Sequence, residues 1–225
     1  ALSRKHTPEF TMLEWYRVDY DLFELIREVI GMIRLFSGQA LEVQEYSYLN
    51  LFVEKLSLNP FTATEADLKK VLTDHQIDLA FIPKTKDEYL DLIVSHVLEP
   101  SFDVDVITVL HSYPASQASL AKITQDCGGH SIGKRFEVYW KGLELANGYE
   151  ELTDPIEQRQ RFEAENILRQ NYGLAPVDID ELFLQEMSQM PSLVSGVAVG
   201  VDRLLMAIEN AHTINDVILF EFEQS

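Results

Sequence analysis

The stretch RFEVYWKGLELANGYEE, residues 135–151, decides the fold. Its aromatic and β-branched residues are typical of strands, yet it carries carboxylates and an amide where a buried face is expected. Polar groups buried in a sheet cost free energy unless something pairs them. Carboxylates clustered in this way are stabilised by a hard cation such as magnesium, or by the ammonium group of a substrate. The alternative is a hairpin with solvated edges and Asn147-Gly148 as its turn.

The rest of the chain supplies further strands and helices around this stretch. The predicted strands are residues 6–17, 104–110, 193–201 and 217–222. The predicted helices are residues 19–36, 155–171 and 202–210. Local strands with helices grouped around them favour an α+β fold with an antiparallel sheet as its platform.

A helical insertion is predicted at about residues 37–100. Its pattern is helical from Tyr46 onwards, with breaks at Asn59-Pro60 and Pro83, and Thr64 is placed to cap a helix. At 225 residues the chain is long enough for one sizeable core, so we predict a single domain over residues 1–225.

The charge balance and the cysteine count limit the class of protein. A formal charge of −19 argues against a broad nucleic-acid surface, because phosphates demand clustered Lys and Arg. No apolar run approaches the roughly 18 to 20 residues of a membrane span. The single cysteine, Cys127, suits a reducing compartment. We therefore predict a soluble, cytoplasmic protein without a membrane partner.

The first predicted strand carries a mixed face. Its period-2 alternation places Phe10, Met12, Glu14 and Tyr16 on one side. A purely structural strand would leave Glu14 in water and Tyr16 in the core. A ring, a carboxylate and a phenol on the same face therefore indicate a polar pocket on top of the sheet.

The last predicted core strand carries small residues at period 2. Gly196, Ala198 and Gly200 share a face, and Arg203 begins the following helix. Small side chains let a ligand lie flat against the strand, where Arg203 can reach a phosphate or stack on a base. Neither a Walker pattern nor a dinucleotide fingerprint is present. The alternative is that the small residues serve packing only.

These three segments together resemble the class II aminoacyl-tRNA synthetases, in particular their lysine-handling branch. Residues 6–16 resemble the second half of that family's motif 2, and residues 196–203 resemble its motif 3. The closer resemblance is to the elongation factor P β-lysine ligases, and it covers essentially the whole chain. It is carried by residues 8–16, 113–120, 135–151 and 196–203. It implies a class II synthetase-type antiparallel sheet flanked by helices.

The resemblance also implies roles for individual residues. Phe10 and Arg203 would enclose the adenine of ATP, and Glu137 and Glu144 would hold magnesium. The implied ATP-binding residues are His6, Thr7, Phe10, Glu137, Val138, Gly200 and Arg203. The implied amino-acid pocket consists of Glu14, Tyr16, Glu144, Asn147, Tyr149, Glu151 and Ala198.

The implied activity is ATP-dependent activation of lysine or (R)-β-lysine as an adenylate, followed by transfer to a lysine side chain of elongation factor P. ATP and Mg²⁺ are the implied cofactors, and a homodimer is expected for the full-length parent. The acidic balance argues against tRNA as acceptor. Two alternatives stay open, a lysyl-tRNA synthetase catalytic core and a non-catalytic synthetase-like binding module.

The chain departs from the family pattern at two places. Motif 1 and the Phe-Arg-x-Glu opening of motif 2 have no counterpart in the sequence, so we expect an N-terminal part to be missing. Ala198 stands where lysyl-tRNA synthetases carry glycine. The added methyl group favours β-lysine over α-lysine, as in the ligase family, by about 1 to 3 kcal/mol.

Overall fold

The fold is built on one twisted sheet, seen in a computed structural model that describes residues 3–79 and 81–220. The strands are β1 Met12–Val18, β2 Val43–Ser47, β3 Ile107–Pro114, β4 Ile123–Gln125, β5 Ser131–Trp140, β6 Leu143–Glu150 and β7 Val194–Gly200. Their order is β1-β7-β6-β5-β3-β2, with β4 on β5. All pairs are antiparallel except β2 with β3. The predicted α+β class and its antiparallel platform are confirmed.

Seven helices flank the sheet in the described residues. They are α1 Leu22–Ser37, α2 Tyr48–Leu56, α3 Glu65–Asp74, α4 Lys86–Ile93, α5 Pro155–Asn171, α6 Glu181–Met187 and α7 Val201–Glu209. A π-helical turn, Val94–Leu98, extends α4, and short 3₁₀ turns follow at Glu99–Ser101, Ala115–Gln117 and Ile214–Asp216. Each described helix is too short or too polar to cross a bilayer.

One face of the sheet is closed by α1 and α7. Asp21 caps α1 by accepting a hydrogen bond from the Glu24 amide, and the Glu24 carboxylate accepts one from the Asp21 amide, both at 2.8 Å. The apolar stripe of α1 then packs on β5, β6 and β7. The centre of this core comprises Leu25, Val29, Ile33, Phe136, Val138, Trp140, Val199 and Met206.

The opposite face is covered over only half its width. Helices α2, α3 and α4 pack over β3 and β5 through an aromatic-rich cluster that includes Tyr48, Phe52, Leu90, Leu110, Tyr113 and Tyr139. The predicted cap at Thr64 is confirmed, since its hydroxyl accepts a hydrogen bond from the Asp67 amide at 3.2 Å. Strands β1, β7 and β6 keep a concave polar surface on this face.

Three predicted strands differ from the structure by more than one residue at an end. The strand predicted at residues 104–110 is β3, Ile107–Pro114, because the Val106 amide closes a turn on Asp103 and the pairing with β5 extends to Pro114. Residues 6–11 precede β1 instead of belonging to it, because Pro8 has no amide hydrogen and the Thr11 amide donates to the Asp202 carboxylate at 2.6 Å. The strand predicted at residues 217–222 is wrong for 217–220. There the Val217 amide closes a 3₁₀ turn on Ile214, and residues 221–222 lie outside the described ranges.

Two further features were not foreseen. Residues 43–47, within the predicted helical insertion, form β2, because they find a parallel partner in the distant strand β3. Asn147-Gly148 is not a turn but lies inside β6. The hairpin turns instead at Lys141 and Gly142, whose φ angles of 56° and 70° fit a two-residue turn. Helices α5 and α7 lie within one residue of their predicted bounds.

A buried ion pair fastens β5 to β6 beside the open face. The Glu150 side chain is only 3% exposed, and both its oxygens accept from Lys134 Nζ at 2.7 Å. Lys122 Nζ lies farther away, at 3.6 Å, and is 47% exposed. The carboxylate is therefore held in the interior by one close lysine, whose own ammonium group reaches water.

Replacing Lys134 should lower the stability of the protein more than replacing Glu150. Lys134→Met leaves a carboxylate buried with only a distant cation, and we expect it to lower the free energy of unfolding by about 3 kcal/mol. Glu150→Gln should cost about 1 kcal/mol, because Lys134 can turn to solvent. Urea denaturation measures both, with Lys122→Met as a control expected to cost less than about 1 kcal/mol. Equal losses for Lys134→Met and Lys122→Met would contradict this assignment.

Candidate active site

A β-bulge in β6 creates the polar surface of the open face. Val138 pairs with Ala146, but the next residue, Tyr139, pairs with Glu144, so Leu145 is an extra residue in β6. In a regular strand Glu144 and Asn147 would point to opposite faces. The bulge brings both side chains to the open face while Leu145 stays buried.

Four strands contribute one residue each to a row across the open face, which we call the cross-strand row. It runs Glu14 on β1, Ala198 on β7, Asn147 on β6 and Glu137 on β5. The sequence prediction that Met12, Glu14 and Tyr16 share a face is confirmed by their register opposite the small residues of β7. Ala198 thus lies at the centre of the row, where its methyl group faces the surface.

A pocket of about 280 Å³ opens at one end of this surface. Eight of the predicted ligand-binding residues line it: His6, Thr7, Phe10, Glu144, Asn147, Ala198, Gly200 and Arg203. The Phe10 ring is 64% exposed and precedes β1, so it borders the pocket without belonging to the strand. An exposed ring opposite an arginine is the arrangement that encloses a flat aromatic ligand.

The Arg203 side chain is held above this pocket by two partners. Its guanidinium donates to Nε2 of His6 at 2.8 Å and to the Glu144 backbone carbonyl at 3.0 Å, and lies 3.7 Å from the Glu144 carboxylate. Burial and then the Arg203 charge lower the pKa of His6. His6 is therefore a neutral acceptor for Arg203.

Glu137 is a buried carboxylate with three donors. Oε1 accepts from Arg135 at 2.5 Å, and Oε2 accepts from the hydroxyls of Tyr113, at 2.6 Å, and of Tyr139. Such a network fixes the orientation of the carboxylate. Glu137 can therefore present the outer lone pairs of its oxygens to a ligand in one defined geometry.

Glu144 lies near Glu137 and lacks a comparable set of donors. Burial and then the Glu137 charge raise the pKa of Glu144. The two carboxylates fit the way proteins hold Mg²⁺, with one or two carboxylates completed by phosphate oxygens and water. Within residues 3–79 and 81–220 no cluster of three or more acidic, His or Cys side chains could hold a metal alone. This donor set is suited to a metal that arrives with a nucleotide.

The far end of the open face is anionic. Burial raises the pKa of Glu151 to about 7, and this carboxylate has no side-chain partner among the described residues. Tyr16 lies beside it, and burial followed by the charges of Glu151 and Glu14 raises the pKa of Tyr16. The two side chains meet above Gly196, where an added Cβ would lie 2.5 Å from the Tyr16 ring and 2.6 Å from Glu151 Oε1.

The remaining predicted residues lie around these groups. Tyr149 accepts a hydrogen bond from the Asn147 amide at 2.9 Å. The Val138 side chain is buried in the core on the opposite face, so only its backbone can face the site. Sequence reasoning missed Arg135 and Tyr113, which hold Glu137. The i, i+2 spacing of Arg135 and Glu137 was a usable signal for the first, whereas Tyr113 comes from a distant strand.

A comparison with known protein families agrees with this geometry. The family model described as tRNA synthetases class II (D, K and N) matches residues 1–224 of the chain. The match therefore includes every strand and helix that forms the surface described above.

The contact above Gly196 leads to a prediction about Glu151. Gly196→Ala should displace the Tyr16 ring, which is 62% exposed and free to move, and so admit water to Glu151. We expect the pKa of Glu151 to fall from about 7 towards its ordinary range, because burial is what raises it. Carbon-13 NMR titration of the carboxyl groups measures this. Gly200→Ala is the control and should leave the pKa of Glu151 unchanged, since its Cβ would approach Arg203 no closer than 3.7 Å. An unchanged pKa of Glu151 in Gly196→Ala would refute the prediction.

Proposed function

Because the chain belongs to the class II tRNA synthetases, we propose that it activates a lysine-type amino acid and transfers it to a lysine side chain of elongation factor P. The family consists of ATP-dependent ligases that use ATP and Mg²⁺. The choice of (R)-β-lysine as amino acid and of elongation factor P as acceptor is the proposal. Homodimerisation and a cytoplasmic location of the complete protein are parts of the same proposal.

The observation that carries the proposal is the unpartnered Glu151. A largely buried carboxylate is costly to ionise unless a cation accompanies it. Glu14, at the end of the cross-strand row, adds a second negative charge on the same face. Two carboxylates on one face suit a substrate with two ammonium groups, as lysine and β-lysine have.

The amide of Asn147 supports the same orientation of substrate. Its Oδ1 accepts from Arg135 at 3.3 Å and its Nδ2 donates to Tyr149, so the amide is fixed. We assign Tyr16, Asn147 and Tyr149 to the walls of the amino-acid pocket, with Ala198 as its floor. The substrate carboxylate then points along the row towards Glu137 and Glu144.

The proposed ATP site is the pocket lined by Phe10, Glu144, Gly200 and Arg203, at the end of the open face away from Glu151. Phe10 would stack on one side of the adenine, and Arg203 would leave His6 to cover the other side and contact the phosphates. His6, Thr7 and the backbones of Val138 and Gly200 would border the nucleotide. Glu137 and Glu144 would hold Mg²⁺, whose charge offsets that of the phosphates.

The proposed reaction has two steps. The substrate carboxylate attacks the α-phosphorus of ATP, which gives an aminoacyl-adenylate and releases pyrophosphate. The amine of the acceptor lysine then attacks the adenylate carbonyl, forms an amide and releases AMP. The protein contributes mainly by positioning and by stabilising charge. The charge of −19 supports a protein acceptor rather than tRNA.

The central test compares β-lysine with α-lysine in pyrophosphate exchange. The Ala198 methyl group occupies volume that the α-ammonium group of α-lysine needs, whereas β-lysine carries its ammonium group one carbon further along. We expect the complete protein to favour β-lysine, and Ala198→Gly to narrow or reverse this preference by about tenfold. An unchanged ratio in Ala198→Gly would remove Ala198 from the pocket floor.

Assays of transfer to the acceptor discriminate between the two ligase functions. A parent enzyme that prefers α-lysine and charges lysine tRNA would overturn the proposal in favour of a lysyl-tRNA synthetase. Transfer of radiolabelled β-lysine to elongation factor P, and loss of that transfer when the acceptor lysine is replaced by arginine, is the result we expect.

The raised pKa of Glu151, at about 7, predicts a pH dependence of amino-acid binding. Only the ionised carboxylate attracts the ammonium group, so affinity should rise as pH increases through about 7. Below that value the KM for the amino acid should increase by up to about tenfold per pH unit. Glu151→Gln should bind weakly at every pH and lose this dependence. Steady-state kinetics at pH 6 to 8.5 measure the effect, and Glu151→Gln serves as the control. A flat wild-type profile would contradict the assignment.

A further inference from the structure

We propose that Arg135 is a positioning residue that sets the geometry of the magnesium end and of the amino-acid end of the site together. This inference rests on the proposed function of the site. It concerns a residue that touches neither substrate but holds one proposed ligand of each. The single guanidinium group of Arg135 thus orients both Glu137, at the magnesium end, and Asn147, at the amino-acid end.

The hydrogen bonds of Arg135 reach three separate elements. Nη2 donates to Glu137 Oε1 at 2.5 Å within β5, and Nε donates to Asn147 Oδ1 at 3.3 Å on β6. Nη1 donates to the backbone carbonyl of Gln117 at 2.9 Å, in the 3₁₀ turn that follows β3. The guanidinium carbon lies 4.5 Å from the centre of the Tyr113 ring. The side chain is only 20% exposed, so these contacts fix it firmly.

The arrangement requires the planar fork of arginine. Each of the three nitrogens of the guanidinium serves a different acceptor, and the acceptors lie in different directions around one plane. Lysine carries the same charge on a single nitrogen and cannot span all three sites. The guanidinium group stacks on the Tyr113 ring, whose hydroxyl also donates to Glu137. This contact keeps the guanidinium plane aligned with the Glu137 carboxylate.

Each contact decides something at the site. The bond to Oδ1 of Asn147 leaves Nδ2 to Tyr149, and an amide flip would set Nδ2 against the N–H of Arg135 and break that bond. The bond to Oε1 of Glu137 complements the tyrosine donors on Oε2, so the carboxylate cannot rotate. Partners of this kind typically affect metal affinity by 10- to 100-fold when they are removed.

The test is Arg135→Lys in the complete protein, assayed by pyrophosphate exchange with the preferred amino acid. We expect the Mg²⁺ concentration for half-maximal rate and the KM for the amino acid each to rise by about fivefold or more. Arg161→Lys is the matched control, because Arg161 also forks between two backbone carbonyls and a carboxylate, but outside the site. The Arg161→Lys variant should lose thermal stability, but its Mg²⁺ dependence and its KM for the amino acid should stay unchanged.

The double variant with Asn147→Ala separates the two ends. In that background Arg135→Lys should still shift the Mg²⁺ dependence but no longer the amino-acid KM. Unchanged Mg²⁺ dependence in folded Arg135→Lys, or shifts no larger than those of Arg161→Lys, overturns the proposal. If Arg135→Lys does not fold, Asn147→Asp tests the proposal instead. The added negative charge should draw Arg135 away from Glu137 and raise the Mg²⁺ concentration for half-maximal rate by about threefold or more. An unchanged Mg²⁺ concentration would overturn the proposal.

Failure of the Arg135 proposal can be distinguished from failure of the proposed function. A wild-type protein that exchanges pyrophosphate with neither lysine isomer overturns the function. Calorimetric titration of Mg²⁺–ATP into wild type and Arg135→Lys then decides the role of Arg135 alone. Equal affinities would refute it, and weakening in the variant with a normal Arg161→Lys would support it.

Discussion

One extra residue in β6 is the constraint on which the site depends. The bulge at Leu145 lets Glu144 and Asn147 face the same side although their spacing is odd. Without it, one of the two polar side chains would enter the hydrophobic core beneath α1, at a cost of several kcal/mol for an unpaired carboxylate. The bulge therefore reconciles an apolar core on one face with a polar surface on the other.

The helical insertion gives the same face two different characters. Over β3 and β5 the helices bury a cluster of aromatic rings, whereas over β7 and β1 the surface stays polar. Tyr113 and Tyr139 stand at the boundary, with their rings in the aromatic cluster and their hydroxyls on Glu137. The low-dielectric cluster strengthens these hydrogen bonds. The insertion thus contributes to the electrostatics of the site without supplying one of its predicted ligand-binding residues.

Sequence reasoning succeeded where information is local. The cap at Thr64 and the alternation in β1 follow from neighbouring residues, and the structure confirms both. It failed where the partner is distant. Strand β2 forms because β3 is available, and the start of β1 depends on Asp202, near the other end of the chain. The alternative with Asn147-Gly148 as a hairpin turn is wrong, because the sheet context overrides this strong turn signal.

The pairing of β1 with β7 has a consequence for how the molecule acquires its activity. The Thr11 amide and the Asp202 carboxylate are 191 positions apart, and the backbone of Arg4 bonds to that of Ile214. Contacts so distant in sequence form late, because a long loop must close first. A ribosome must release nearly the whole chain before the pocket between these strands exists. Nascent chains therefore can form the aromatic cluster while their binding surface is still unformed, and binding competence arrives with β7.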